Sequence, residues 1–473
     1  MTNRLFNFKQ NVSTALQDKQ LRGNLKSAMD SMIQKRRELF ADHQEFEKLR
    51  ELGSSIRQRS LEQLPQLLES LEKKCLSNGI TVHWAKTKTD ANDIVLKIIK
   101  SKKASNVVKG KSMVSEEMFL NEYLQQHGIN PMETDLGEYI IQLAGESPSH
   151  IIVPAIHKNR AEIAELFRNH IPDAPHTEKV EELNSIARQT LRKYFFEAEI
   201  GISGVNMAVA ETGTLCLVEN EGNGRMCTTL PPVHIAVMGL EKVVEKLADV
   251  PPLLKLLTGS ATGQRITTYV NMITSPRKPG EKDGPDEVHL IILDNGRSKI
   301  LADPELRQTL KCIRCGTCLN HCPVYTRIGG HAYGFIYPGP IGTILTPQLE
   351  GLDKTDSLIN ASSLCNACEE VCPVKIPIPD LIRRLRDEKT TKKGVVNGHG
   401  SGRSLFEETA WKGWALVNKY PLLNRIGLKS LRTLGVKIPE IGPVKSWAKS
   451  RCVPELSKKG LYELVQREGV ENE

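Results

Sequence analysis

Across the first 79 residues charge outweighs apolar character, and the clearest periodicity comes late. Leu64, Leu67, Leu68, Leu71 and Cys75 recur at i, i+3, i+4 spacing after Pro65, and Asn78-Gly79 supplies a stop. This predicts a helix with one apolar face. From 80 to 300 the texture changes. Short apolar runs at 80–84, 106–108, 150–153, 215–218, 234–238, 267–273 and 288–293 read as strands. Helical stretches lie between several of them, including 116–126, which ends at Gly128, and 159–169. Such alternation predicts an α/β domain with a largely parallel sheet. Asp303-Pro304-Glu305 then predicts a helix start, cap residue before proline, leading straight into a cysteine-rich segment. After it, Pro373, Pro377 and Pro379 precede a basic helix over 380–388. Residues 390–404 have linker composition, and the last 70 place Trp411, Trp414 and Trp447 among Lys and Arg with weak helical periodicity.

The expected organisation is a helical extension (1–79), an α/β domain (80–300), a small helical cysteine domain (301–389), and a linker with a basic helical tail (390–473). The 473 residues are a length that suggests about three domains. No apolar run approaches the roughly 18 residues needed to span a bilayer, which argues against an integral membrane protein. The opening residues lack an apolar signal core, so the expected location is the cytoplasm. The formal charge of +8 is unevenly spread: residues 381–473 carry a net +9 and the body is near neutral. A basic tail suits an anionic lipid surface, which adds the inner face of the membrane as a peripheral location, or an acidic partner.

Seven of eleven cysteines fall between Cys312 and Cys372. In a reducing compartment such clustering points to metal or redox chemistry rather than disulfides. Cys312-x2-Cys315-x2-Cys318-x3-Cys322-Pro323 has the spacing of a bacterial ferredoxin run, in which the fourth cysteine serves the other cluster. Adding 50 to each position gives Ser362, Cys365, Cys368 and Cys372, again followed by proline. The repeat is complete except for its first ligand. The reading is a two-cluster ferredoxin-like module, with Cys312, Cys315, Cys318 and Cys372 binding one cluster and Cys322, Cys365 and Cys368 the second. Zinc accepts Cys-x2-Cys pairs too, but the x2-x2-x3 spacing closed by Cys-Pro favours iron–sulfur. The fourth position of the second site is open to Ser362, water, a partner's group or a three-iron cluster. Lewis-acid catalysis at that position is the less favoured reading, because no acid–base constellation stands beside it.

Between the motifs, Tyr325, His331, Tyr333, Phe335 and Tyr337 sit in a Gly/Pro-rich segment that reads as apolar cover for the clusters, with His331 a less favoured ligand. Cys75, Cys216, Cys227 and Cys452 are scattered and read as bystanders. Lys109-Gly110-Lys111-Ser112 imitates the end of a phosphate-binding loop, but Ser105 stands where the first glycine is required. No Gly-x-Gly-x-x-Gly follows a strand, which weakens a nicotinamide or flavin site.

The remaining polar, glycine-rich stretches carry a resemblance. Glu211-Thr212-Gly213-Thr214, Glu219-Asn220-Glu221-Gly222-Asn223 and Leu230-Pro231-Pro232-Val233-His234 resemble the lactate-utilization domain. Followed by seven cysteines and a tail with Trp411-Lys412-Gly413-Trp414, the layout resembles the B-component family of bacterial lactate-utilization iron–sulfur proteins. The resemblance implies a fold like that of coenzyme A transferases and formyltetrahydrofolate cyclo-ligases, and two [4Fe-4S] clusters. It also implies electron transport during oxidation of L-lactate to pyruvate. Two partners come with it: a cysteine-rich protein like the heterodisulfide reductase subunits, and a stand-alone copy of the α/β domain.

The expected role is therefore a non-catalytic electron-transfer subunit. Two other classes compete: an enzyme whose α/β domain binds the hydroxy acid or a coenzyme A-like ligand near Glu211, and a membrane-docked adaptor using the tail. No nucleic-acid partner is expected.

Overall fold

The computed structural model describes residues 7–391, 403, 405–433, 460 and 464–466, with side chains omitted at 431–433. Most of the expected linker, Trp447 and Cys452 lie outside the described residues. The chain forms two compact units, Met1–Ser401 and Gly402–Glu473.

The first unit opens with four helices: α1 (Phe8–Gln17), α2 (Lys19–Leu39), α3 (His43–Glu62) and α4 (Leu64–Ser77). Asn7, Asp18 and Asp42 cap the first three by accepting backbone N–H bonds of the opening turn, which satisfies donors that have no partner inside the helix. The fourth follows the sequence expectation. Pro65 lies in its first turn, Leu64, Leu67, Leu68, Leu71 and Cys75 are buried, and Asn78 ends it. Each large aliphatic side chain buried there contributes about 1.5–3 kcal/mol.

Among the described residues ten strands follow: β1 (Ile80–Ala85), β2 (Val107–Lys109), β3 (Met132–Glu133), β4 (Ile200–Gly204), β5 (Met207–Val209), β6 (Thr214–Glu219), β7 (Val233–Gly239), β8 (Val243–Val244), β9 (Tyr269–Ile273) and β10 (Glu287–Leu293). Six make an all-parallel sheet, ordered β1-β10-β7-β4-β2-β3, and four make a mixed sheet, ordered β8-β5-β6-β9. The fold is thus mixed α/β with a parallel sheet and many helices.

Four local expectations need correction. Residues 150–153 are not a strand: the buried His150 ring accepts the Ile152 and Val153 N–H groups at Nδ1 (3.1 and 3.2 Å), donors that a ladder would use. The 116–126 helix is two, Met113–Glu117 and Leu120–Gln126, broken where Phe119 takes φ +54°. After Asp303 only a 3₁₀ turn forms (Leu306–Lys311), with the Asp303 carboxylate accepting from Glu305 and Leu306 N–H. The basic helix is longer than expected, Ile378–Thr390.

The expected boundaries at 79/80 and 300/301 are bridged by one apolar core. It runs from Leu25 and Met29 of α2 through Leu71 of α4, Met238 of β7 and Leu290 of β10 to Tyr325, Ile344, Val374 and Leu385. The cysteine segment brings apolar side chains of its own, Leu319, Tyr325, Ile344, Leu358 and Leu385 among them, and packs them into the same core as the helices and the sheet.

Candidate metal centre

The two cysteine motifs fold into the same turn twice. Arg314 and Gly316 take φ +63° and +73°, and Leu364 and Asn366, fifty residues on, take +56° and +64°. Each turn leads into a one-turn helix, Thr317–Asn320 and Ala367–Glu370, also fifty apart. The hydrogen bonds match as well. Arg314 N–H donates to Cys312 Sγ at 3.3 Å, and Leu364 N–H donates to Ser362 Oγ at 3.1 Å. Ser362 therefore occupies, in backbone and in hydrogen bonding, the position that Cys312 holds in the first motif. Left-handed backbone at Arg314, Leu364 and Asn366 costs energy that only a fixed surrounding structure can offset.

Cys312, Cys315, Cys318 and Cys372 line one cavity, with Ile151, Ile313, Ile341, Val374, Ile376 and Ile378 around them. Burial pushes the Cys315 and Cys318 thiols up, and neighbouring thiols of the same group push them further. Four mutually repelling sulfurs in an apolar hollow are unfavourable as thiolates by themselves and fit a soft, multiply charged metal group. Ile376 N–H donates to Cys372 Sγ at 3.3 Å. Cys322, Cys365 and Cys368 form the second group: burial raises the Cys368 thiol to about 12, with Cys322 and Cys365 adding to the rise. Cys365 is exposed, whereas Cys322 and Cys368 are buried. Tyr325 N–H donates to Cys322 Sγ at 3.5 Å.

The supports of the first group come from distant sequence, and sequence reasoning missed them. From α3, Arg50 donates to the Cys372 and Glu369 carbonyls (3.0 and 3.2 Å). Arg57, two turns further along the same helix face, is fully buried and donates to the carbonyls of Leu310, Lys311, Val243 and Glu241. From α2, Arg36 donates to the Val371 carbonyl at 3.2 Å. The seven-residue spacing of Arg50 and Arg57 was the available signal. In the α/β part, buried Glu241 pairs with Arg297 and Arg314, Arg297 also pairs with Glu117, and Tyr337 donates to Glu117 at 2.7 Å. Arg314 also lies over the Tyr337 ring, 5.0 Å from its centroid. This network ties Arg314, between Cys312 and Cys315, to the segment joining β7 to β8 and to the helix Arg297–Ala302 that follows β10. Opposite it, His150 Nε2 donates to Asn320 Oδ1 at 3.1 Å, and a Cβ on Gly316 would meet the His150 ring at 3.1 Å.

Other candidates are occupied elsewhere. His331 donates from Nε2 to the Ser147 carbonyl and stacks edge-on against His157. Tyr325, Tyr333 and Tyr337 are buried cover, as expected. The Glu211 carboxylate accepts from Leu247 N–H. Glu219 caps the helix Asn223–Thr229 through Gly224 and Arg225 N–H. Lys109 is buried between Glu116 and Glu133, a structural ion cluster rather than a phosphate cradle. Cys75, Cys216 and Cys227 are buried, their thiols raised to about 12 by burial.

In the second unit, helices Leu405–Lys419 and Pro421–Thr433 expose Leu405, Phe406, Trp414 and Leu422. Among the described residues no helix is long and apolar enough to cross a membrane.

Residues 68–293 match the LUD domain family, residues 308–376 the 4Fe-4S dicluster domain, and residues 384–470 the family described as Lactate utilisation protein B, C-terminal. Lactate utilization protein B of Bacillus licheniformis is 43% identical over 459 residues, covering 95% of this chain and 94% of that protein. Its counterpart in Bacillus subtilis is 42% identical over 455 residues, 94% and 93% of the two chains. The uncharacterized electron transport protein YkgF of Escherichia coli K12 is 43% identical over 459 residues, 95% and 94% of the two. Fold and site together define an iron–sulfur protein in which a 4Fe-4S dicluster domain is built onto an α/β LUD domain. The chain belongs to the lactate utilization protein B family.

Proposed function

We propose that this chain is the electron-transfer subunit of a multi-protein system that oxidises L-lactate to pyruvate. The carrying observation is the pair of cysteine groups, built from one repeated turn and held in one compact unit. In this reading Cys312, Cys315, Cys318 and Cys372 hold one [4Fe-4S] cluster. Cys322, Cys365 and Cys368 hold the second, with Ser362 Oγ at its fourth corner. A [3Fe-4S] second cluster is the alternative. Lactate oxidation releases two electrons, and paired one-electron centres accept them singly. The protein's own contribution is positional: N–H donors at the sulfurs, the carbonyl grip of Arg36, Arg50 and Arg57, and an isoleucine-rich wall that keeps water from the first group.

The partners in this reading are the heterodisulfide-reductase-like protein and the stand-alone LUD-domain protein. The α/β domain takes the coenzyme A transferase-like arrangement and serves as scaffold. The tail, basic and apolar at once, makes a peripheral contact at the cytoplasmic membrane face or with a partner. The family names of the relatives, which speak of lactate utilization and electron transport, support the pathway assignment.

The test is lactate-dependent dye reduction under anaerobic conditions, with and without the purified partners. Reduction only in their presence is the expected result. Reduction by this chain alone would transfer the chemistry to its α/β domain. Iron analysis should give about eight irons per chain, or about seven with a three-iron second cluster. A zinc-loaded protein would end the electron-transfer reading.

A further inference from the structure

A groove of about 750 Å³ runs along α2 beside the cysteine module. One wall is a single helix face carrying Lys19, Arg22, Lys26, Asp30 and Arg37; the other includes Asn320, His321, Thr326 and Arg327. From Lys19 to Arg37 the helix advances about 27 Å. Five cations therefore line the groove against one carboxylate, and all five are exposed. Among the described residues, none of Lys19, Arg22, Lys26, Arg37 and Arg327 has a carboxylate partner, Arg22 bonding only the Leu16 carbonyl at 3.4 Å, whereas Arg36, Arg50, Arg314 and Lys375 near the cysteines are paired with carboxylates or bonded to carbonyls of the cysteine module. Half-buried Ile33 gives the groove an apolar spot between the charges, with Met29 buried beneath it.

The opposite wall is the cysteine module itself. His321 adjoins Cys322 of the second group, and Asn320 lies two residues from Cys318 of the first. Thr326 and Arg327 belong to the turn that starts at Tyr325, whose N–H bonds Cys322 Sγ. A partner seated in the groove would rest against the backbone that carries the sulfur of Cys322. A row of exposed cations without carboxylate partners suits an acidic protein surface, because such charge complementarity speeds encounter and fixes orientation.

We propose that this groove is the docking site for the acidic face of a one-electron carrier protein, and that the second cysteine group is the port through which the chain exchanges electrons with it. The proposal rests on the iron–sulfur reading above. Each productive encounter moves one electron: the carrier loses one as this protein gains one, or the reverse, with no bond made or broken.

The test uses the full-length, iron-loaded protein and reduced flavodoxin, an acidic one-electron carrier, as the probe in anaerobic stopped flow. Salt is varied from about 25 to 300 mM, across which the Debye length falls from roughly 20 to 6 Å. The wild type should be reduced fastest at low salt. The triple variant R22E/K26E/R327E should lose about tenfold or more of that rate, along with its salt dependence. Reduction by methyl viologen radical, iron content and circular dichroism should stay unchanged. The neutral variant R22Q/K26Q/R327Q should fall between. A control variant on the helix Val180–Glu197, R188E/R192E/K193E at three exposed cations of the first unit, should keep the wild-type rate. Wild-type kinetics in the charge-reversed protein would overturn the docking site, as would an equal loss in the control variant. A wild type without iron would instead remove the cluster assignment, so the two failures are distinguishable.

Discussion

The two cysteine groups share a backbone turn and differ in what surrounds it. The first is roofed by Ile151, Ile341 and Ile376, with Cys312 half-buried, and its backbone is gripped by arginines from the distant α2 and α3, whereas the second motif's Ser362 carbonyl is held by Arg386 of the nearby helix Ile378–Thr390. The second has the same left-handed residues and the same short helix, yet it leaves Cys365 exposed and puts serine where the first has cysteine. Local sequence therefore sets the turn, and the distant elements packed on it decide whether the site is sealed or open. A sealed centre suits holding an electron and an exposed one suits passing it on, because access and local dielectric tune the behaviour of such centres.

The largest expected effect comes from breaking the sealed side. Cys315→Ala should remove the first centre, cut iron by about four per chain, and destabilise the protein by about 3 kcal/mol or more, since metal binding there is coupled to the shared core. Cys365→Ala should lose iron only from the second centre and destabilise the protein less than Cys315→Ala, because Cys365 is exposed whereas Cys315 is buried. Anaerobic thermal unfolding with iron analysis compares the two; equal destabilisation would erase the distinction between sealed and open.

Ser362→Cys sharpens the comparison next. It should complete a four-thiolate second site and change that centre's electron paramagnetic resonance spectrum, leaving the first unaltered. An unchanged second-centre spectrum would place Ser362 away from the open corner. A smaller effect is expected from Arg50→Met, which removes two bonds to the carbonyls of Cys372 and Glu369. The loss should be about 1–3 kcal/mol, seen as a lower unfolding midpoint with iron retained. Smaller still, Tyr337→Phe deletes the hydroxyl bonded to the Glu117 carboxylate and should cost about 1–2 kcal/mol in the same assay.

Much of this comparison was legible in the sequence. Cysteine spacing and the fifty-residue offset disclose both motifs and the gap at Ser362, because ligand chemistry tolerates few spacings. Strands β1, β7 and β10 and helix α4 are legible because their apolar periods are uninterrupted. Strand β4, central in the sheet, reads Ile200-Gly201-Ile202-Ser203-Gly204, and its glycines mask the β signal. Its Gly201 is dictated by the Cys227 carbonyl, 1.8 Å from where a Cβ would sit, a tertiary fact with no local trace. Residues 150–153 mislead in the opposite sense: an apolar run identical in texture to a strand serves as cover for the first cysteine turn. The role of the N-terminal helices was invisible because arginines that bond carbonyls look like any solvated charge until the carbonyls are in place.

The proposed ligand set of the first group bears on how the protein is made. Cys372 leaves the ribosome sixty residues after Cys312, and between them the chain must complete the second motif and the helix Gly339–Glu350. The sealed centre therefore cannot close in step with synthesis. The N-terminal helices emerge first and wait, their apolar faces uncovered, until the last part of their core is delivered. With Cys372 as a ligand of the first centre, iron and sulfide would enter late, and iron starvation should yield a chain with a lower unfolding midpoint and not merely an empty site.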